Sequence, residues 1–201
     1  VGKIESVIFD WGGVLADDPR AGLMEYCAGA LGVPKQRYIN AHDRFGGDFQ
    51  RGLISEKAFW AKVCEDLSQP VPDHPSLWGE AFRAAYSPRP EVFALAQRLH
   101  DQGCKVALLS NTEVPAMEFF YEQGYDGFDV FVFSCTEGMA KPQKRIYQVT
   151  LERLGSMPTQ AVFIDDRPEF IEGARQVGLN TILFKNVDQA KNELAQLGVK
   201  N

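Results

Sequence analysis

The stretch that most constrains this chain is its first apolar run, Ile4-Glu5-Ser6-Val7-Ile8-Phe9-Asp10, with the turn Trp11-Gly12-Gly13-Val14-Leu15 behind it. Val7, Ile8 and Phe9 show no polar alternation, which predicts a central parallel strand covered on both faces. A carboxylate follows at once. At the C-terminal end of such a strand it emerges into the crevice where open α/β sheets bind ligands. Gly12 and Gly13 let the backbone turn sharply and approach a bound group closely. Taken alone, Asp10 reads as well as a helix cap or a solvated strand end, so the rest of the chain has to decide.

Asp17 or Asp18 before Pro19 predicts a helix start. That helix carries Leu23, Met24, Cys27 and Leu31 on one face and stops near Gly32. Pro34 opens a second through Tyr38 and Ile39 toward Phe45, ending at Gly46-Gly47. Ser55 is expected to cap a third, whose Phe59, Trp60, Val63 and Leu67 form an apolar stripe. Asp73 is expected to cap a fourth around Leu77, Trp78, Ala81, Phe82 and Ala85. No strand pattern occurs between residues 16 and 88. Residues 16–87 are therefore expected to form an all-helical insertion, a four-helix bundle, with 1–15 and 88–201 as the core. From Pro90 helices alternate with strands at Lys105-Val106-Ala107-Leu108-Leu109, Val130-Phe131-Val132-Phe133, Ala161-Val162-Phe163-Ile164 and Thr181-Ile182-Leu183-Phe184. That alternation predicts an α/β fold, a Rossmann-like doubly wound parallel sheet with right-handed crossovers.

The chain's 201 residues allow one generous domain, or one domain with a sizeable insertion. A net charge of -6 argues against a nucleic-acid partner, whose phosphates call for a basic surface. No apolar run approaches the roughly 20 residues that span a bilayer, and no signal segment is expected. Cys27, Cys64, Cys104 and Cys135 lie far apart without CxxC spacing, and His42, His74 and His100 show no ligand spacing. Reduced thiols in a cytoplasmic protein without zinc are expected. The chain is expected to act alone or as a homodimer on a small molecule.

Three apolar strands end in chemistry: at Asp10, at Ser110-Asn111-Thr112 and at Asp165-Asp166, while Lys141 lies in the loop after a fourth. Singly, each has an ordinary reading: Ser-Asn-Thr and Asp-Asp as helix caps, Lys141 as a solvated cation. Together they converge on one edge of one sheet. Neighbouring carboxylates repel one another and need a compensating cation, which Lys141 and a bound Mg²⁺ would provide.

In this order the signatures Asp10-Trp11-Gly12-Gly13-Val14-Leu15, Ser110-Asn111-Thr112, Lys141-Pro142 and Ile164-Asp165-Asp166 resemble the haloacid dehalogenase superfamily. The helical insertion after the first signature resembles its C1-capped subgroup. The resemblance implies that Asp10 is a nucleophile that attacks the phosphorus of a phosphate ester. Ser110 and the Asn111 amide would hold phosphoryl oxygens, and Lys141 would neutralise charge on nucleophile and phosphate. Asp10, the Gly12 backbone carbonyl and Asp166, with Asp165 beside it, would hold Mg²⁺.

One position departs from that pattern. Most phosphatases of the superfamily carry a second Asp two residues after the nucleophile, as general acid and base; here it is Gly12. Acid–base help of that kind is typically worth about 10²–10⁴ in rate. The favoured reading is a phosphatase of small metabolites, slower or reliant on another proton donor or a good leaving group. It resembles the Asp-X-Gly-X-Val branch, which includes small bacterial sugar-phosphate phosphatases such as those acting on glucose 1-phosphate. A 2-haloacid dehalogenase using the same Asp is the alternative enzyme, disfavoured by the intact Asp165-Asp166 pair. A metabolite-binding regulator is the third reading. Substrate choice is expected to lie with the insertion. Arg44-Phe45-Gly46-Gly47-Asp48 and Phe49-Gln50-Arg51-Gly52 read either as a substrate-facing loop, with Arg44 on the phosphate, or as a solvated connector. His42 reads as a surface residue or a proton donor, Trp11 as packing or a pocket wall, and Glu113 as a contact to a sugar hydroxyl.

Overall fold

β1 (Ser6–Phe9) is the middle strand of a five-stranded, all-parallel sheet. The computed structural model describes residues 3–200; Val1, Gly2 and Asn201, at the ends of the ranges expected for the core, lie outside them. β2 (Lys105–Ser110) and β4 (Ala161–Asp165) flank β1, with Ile8 level with Ala107 on one side and Phe163 on the other. β3 (Val130–Phe133) and β5 (Asn180–Leu183) lie at the edges, so the order is β3-β2-β1-β4-β5. Both faces of β1 are covered, as its unbroken apolar run predicts. Ile8 packs with α8 (Lys144–Leu154) and α9 (Pro168–Arg175) through Ile146, Tyr147, Phe170 and Ile171. Val7 and Phe9 face the other layer, built by α5 (Pro90–Asp101), α6 (Val114–Glu122) and α10 (Val187–Gln196).

The chain runs outward from β1 through β2 to β3, then returns to the far side of β1 as β4. The reversal opens a crevice at the C-terminal ends of β1 and β4, the place where such sheets take ligands. Asp10, Asp165 and Asp166 lie at these ends, and Ser110 at the C-terminal end of the neighbouring β2.

Four helices precede α5: α1 (Arg20–Ala30), α2 (Lys35–Gln50), α3 (Glu56–Leu67) and α4 (Leu77–Ala85). α1 packs on α4 and α2, and α2 on α3. Their entry and exit strands are tied together: Asp17 N donates to Ser87 O at 2.9 Å and Arg89 N to Leu15 O at 2.8 Å. Ser55 caps α3 as expected, its side chain accepting from Ala58 N at 3.2 Å. Three local expectations are corrected. α2 does not stop at Gly46-Gly47 but runs to Gln50, because Gly46 makes room for the His42 ring, which a Cβ there would strike. α4 is capped by Ser76, not Asp73, with Ser76 Oγ accepting from Gly79 N at 3.0 Å. A short helix, α7 (Ser134–Glu137), fills part of the loop before Lys141. The four cysteines are free, Cys104 half-buried and the other three buried. No helix among the described residues is long and apolar enough to cross a membrane.

Candidate active site

Asp10 leaves β1 with its N–H on Ile164 O at 3.0 Å, which pins it between β1 and β4. Its side chain is only 5 % exposed as a residue, and Oδ1 accepts from Trp11 N at 2.7 Å. Lys141 Nζ lies 2.8 Å from the same Oδ1 and 2.7 Å from Asp165 Oδ2, fully buried between the two carboxylates. The Phe170 ring, 4.8 Å from Nζ, closes one side of the ammonium. Asn111 places Lys141: its Nδ2 donates to Lys141 O at 3.0 Å and its Oδ1 accepts from Lys141 N at 2.8 Å. The side-chain amide of Asn111 is therefore committed to the Lys141 main chain, which narrows what it offers a phosphoryl oxygen. Ser110 is buried at the end of β2, its Oγ 2.6 Å from Thr112 Oγ1.

The two acidic residues after β4 are used differently. Asp165 has both oxygens engaged, Oδ1 by Arg167 N at 2.8 Å and Oδ2 by Lys141. Asp166 Oδ1 is buried with no hydrogen-bond partner. Oxygens of Asp10, Asp165 and Asp166 lie within 4.8 Å of one another. Three carboxylates against one ammonium leave two negative charges unbalanced. Burial, then the Asp165 charge, pushes the Asp10 carboxyl well above the usual range while Lys141 opposes them. Burial and Asp165 push Asp166 up as well. On Lys141, burial works against the charge, but Asp10 and Asp165 together outweigh it and hold it above the ordinary lysine range. An unpartnered buried carboxylate oxygen beside two others, with a surplus of two charges, fits a hard divalent cation such as Mg²⁺.

Gly13 is part of the same construction. It sits at φ +92°, and a Cβ there would fall on the Asp166 carboxyl group. Gly13→Ala is expected to cost about 1–3 kcal/mol from the strained backbone and to displace Asp166. Chemical denaturation and metal titration of the variant check both effects; unchanged midpoint and metal affinity would contradict the packing. Gly12 has no such restriction, only a close approach of Pro19 Cδ, 3.3 Å from a Cβ position. Arg89 fastens the turn, donating from Nη1 to Gly13 O at 2.5 Å and from Nε to Asp17 Oδ1 at 2.9 Å. Nothing in the sequence around Arg89 marked it for this.

The pocket above the carboxylates has a volume of about 160 Å³. That is roughly ten times the 10–15 Å³ one water needs on the same measure. Its walls bring together Asp10, Gly12, Ser110, Asn111, Lys141 and Asp166, and include Trp11, His42, Gln50, Trp78 and Glu113. Arg44 is not among them: it lies within α2 and is paired with Asp66. The stretch expected as a loop is helical, and it contributes Gln50 instead. His42 is a further correction, since it is buried and stacked 5.5 Å from Trp78 with the rings 10° apart. Trp11 both packs and walls the pocket, its ring 5.0 Å from Phe82 and from Phe120. Glu113 accepts from Gln50 Nε2 at 3.3 Å and Trp78 Nε1 at 3.2 Å, joining the loop after β2 to α2 and α4. Gln50 belongs to the stretch read as substrate-facing, whereas Trp78 was not foreseen at the site; their contacts to Glu113 span 63 and 35 residues, beyond any local signal.

Known proteins resemble the chain along nearly its whole length. Flavin mononucleotide hydrolase 1 of Arabidopsis thaliana is 35% identical over 201 residues, covering 98% of this chain and 79% of that protein. Mouse acyl-CoA dehydrogenase family member 10 is 30% identical over 206 residues, 96% of this chain. The chain spans 19% of the length of that mouse protein. Among solved structures, a HAD family enzyme of Bacteroides thetaiotaomicron in complex with magnesium and inorganic phosphate superposes with a TM-score of 0.76. The match has 23% identity and covers 90% of this chain and 94% of that one, a likeness of fold. A family profile matches residues 4–178, from β1 to the turn before β5, and the chain belongs to the haloacid dehalogenase-like hydrolases.

Proposed function

We propose that the protein is an Mg²⁺-dependent phosphatase of small phosphorylated metabolites, sugar phosphates foremost, with Asp10 as nucleophile. The observation that carries this reading is the lysine held between Asp10 and Asp165 next to the unpartnered oxygen of Asp166. A dianionic phosphate cannot approach three carboxylates without added positive charge. Bound by Asp10, Asp166 and the Gly12 carbonyl, with Asp165 secondary, Mg²⁺ would supply that charge to the phosphoryl oxygens. An Asp10 oxygen forms a bond to phosphorus as the bond to the leaving-group oxygen breaks. Water then attacks phosphorus, the Asp10 O–P bond breaks, and inorganic phosphate leaves. Lys141 would balance charge on Asp10 throughout, and Ser110 with the backbone N–H of Asn111, whose side chain is held by Lys141, would orient the phosphoryl group. Gly12 supplies no proton, which leaves the leaving group to solvent or to a good departing oxygen.

Residues 16–87 serve in this reading as a cap that walls the leaving group, on a core of 1–15 and 88–201. A C1-type cap and the sugar-phosphate branch suit the four helices over the pocket. The relative named for flavin mononucleotide supports a phosphorylated metabolite as substrate. A cytoplasmic setting suits the four free thiols. The test is phosphate release from a panel of phosphorylated metabolites with and without Mg²⁺. Chelation is expected to cut release at least tenfold and added Mg²⁺ to restore it. Halide release from 2-haloacids that survives chelation would point to the dehalogenase instead.

A further inference from the structure

Glu113 is buried in the pocket with 7 % of its surface exposed, and no cation pairs with it among the described residues. Its two side-chain bonds, from the Gln50 amide and the Trp78 indole, come from neutral donors at or beyond the long end of the normal range, and its own backbone N–H bears on it as well. The Arg20 charge that reaches it is committed to Asp43, 3.0 Å from Nη2. An ionised carboxylate offers about four acceptor positions, so this one keeps at least one unused. An unmet acceptor away from water is costly, and burial pushes Glu113 up to about 7. Asp10 and Asp165, by contrast, each hold the Lys141 ammonium.

The carboxylate's place is fixed from both sides. The loop that positions Ser110 and Asn111 reaches Glu113 two residues later, so its offset from the phosphate end is set by β2. α2 and α4 hold it from above through Gln50 and Trp78. His42, stacked on Trp78, lines the same pocket. Its Nδ1 is 3.1 Å from Asp43 Oδ1. A proton on Nδ1 makes Nε2 an acceptor, and burial lowers the affinity of the ring for a second proton. Glu113 offers the pocket an acceptor on the side of the helices.

We propose that Glu113 reads the leaving group by accepting a hydrogen bond from a hydroxyl or ring N–H that the phosphate ester carries. This rests on the phosphatase reading. A site built to take such a donor rejects esters that lack it, because its acceptors are then left unpaired.

The test compares wild type with Glu113→Gln on glucose 1-phosphate and flavin mononucleotide, which carry donors, and on p-nitrophenyl phosphate, which does not. The expected result is a fall of about tenfold or more in kcat/KM for a donor-bearing ester relative to p-nitrophenyl phosphate. A fall on glucose 1-phosphate assigns the donor to a hydroxyl; flavin mononucleotide carries ribityl hydroxyls as well as the ring N–H, and methylating its ring nitrogen tells the two apart. A smaller relative change on every ester, or hydrolysis of p-nitrophenyl phosphate alone, overturns the proposal. A second check needs no variant: methylating the donors of the better ester should cost the wild type about tenfold in kcat/KM. Equal use of the methylated form overturns the proposal as well. Absence of Asp10-dependent release from every ester, p-nitrophenyl phosphate included, is a separate result that removes the phosphatase reading and this assignment with it.

Discussion

Replacing Asp10 by Asn is expected to abolish phosphate release, by about 10⁴-fold or more, while leaving the fold in place. Removal of a nucleophile on which the other groups act typically costs that much. The fold should survive because Asn presents the same carbonyl oxygen to Trp11 N, and Lys141 keeps Asp165, 2.7 Å away. Burial and Asp165 already disfavour the charged form of Asp10, so a neutral amide suits its surroundings. Phosphate release and a thermal melt check the two halves. Retained turnover would remove Asp10 as nucleophile, and an unfolded variant would show that its charge is structural.

Lys141→Met is expected to be the most destabilising of the site changes. It strands Asp10 and Asp165, both buried, without the cation they share. Removing one partner of a buried ion pair typically costs about 3–5 kcal/mol, since the remaining charge is left uncompensated. For a domain of this size that corresponds to a fall of roughly 6–20 °C in Tm. Turnover should be lost as well, because Asp10 would then have no fixed charge against it during phosphoryl transfer. Melting with excess Mg²⁺ present separates the effects: a cation near the carboxylates offsets part of the stability loss and leaves turnover low. A Tm within about 2 °C of wild type would contradict the burial of the pair, given the same conversion.

The parts of this protein most legible in its sequence are those written in unbroken apolar runs. Val7-Ile8-Phe9 and Val162-Phe163-Ile164 could be read as buried strands because both sides of each face a helix layer. The residues that end them could then be placed on one edge of the sheet. Lys141 had no local signal of its own and became legible only through its company. Gly46-Gly47 misled because glycine usually ends a helix, whereas Gly46 here gives the His42 ring room within one. His42 looked like a surface residue since its neighbours Asp43 and Arg44 are charged and exposed. The pair of Glu113 with Gln50 and Trp78, and the Arg89 hold on Gly13, join distant parts of the chain. The first contacts come from the packing of α2 and α4 over the sheet edge and the second from the return of the chain to the turn after β1, where Arg89 N also meets Leu15 O, and no periodicity records them.

Turnover through Asp10 would form a covalent bond between phosphorus and its carboxylate. It is tested most directly by acid-quenching the enzyme during turnover with Mg²⁺, digesting it and locating the phosphoryl group by mass spectrometry. The expected result is a phosphoryl group on the peptide carrying Asp10, absent after Asp10→Asn. Turnover with that peptide unmodified and the label on another residue would contradict it.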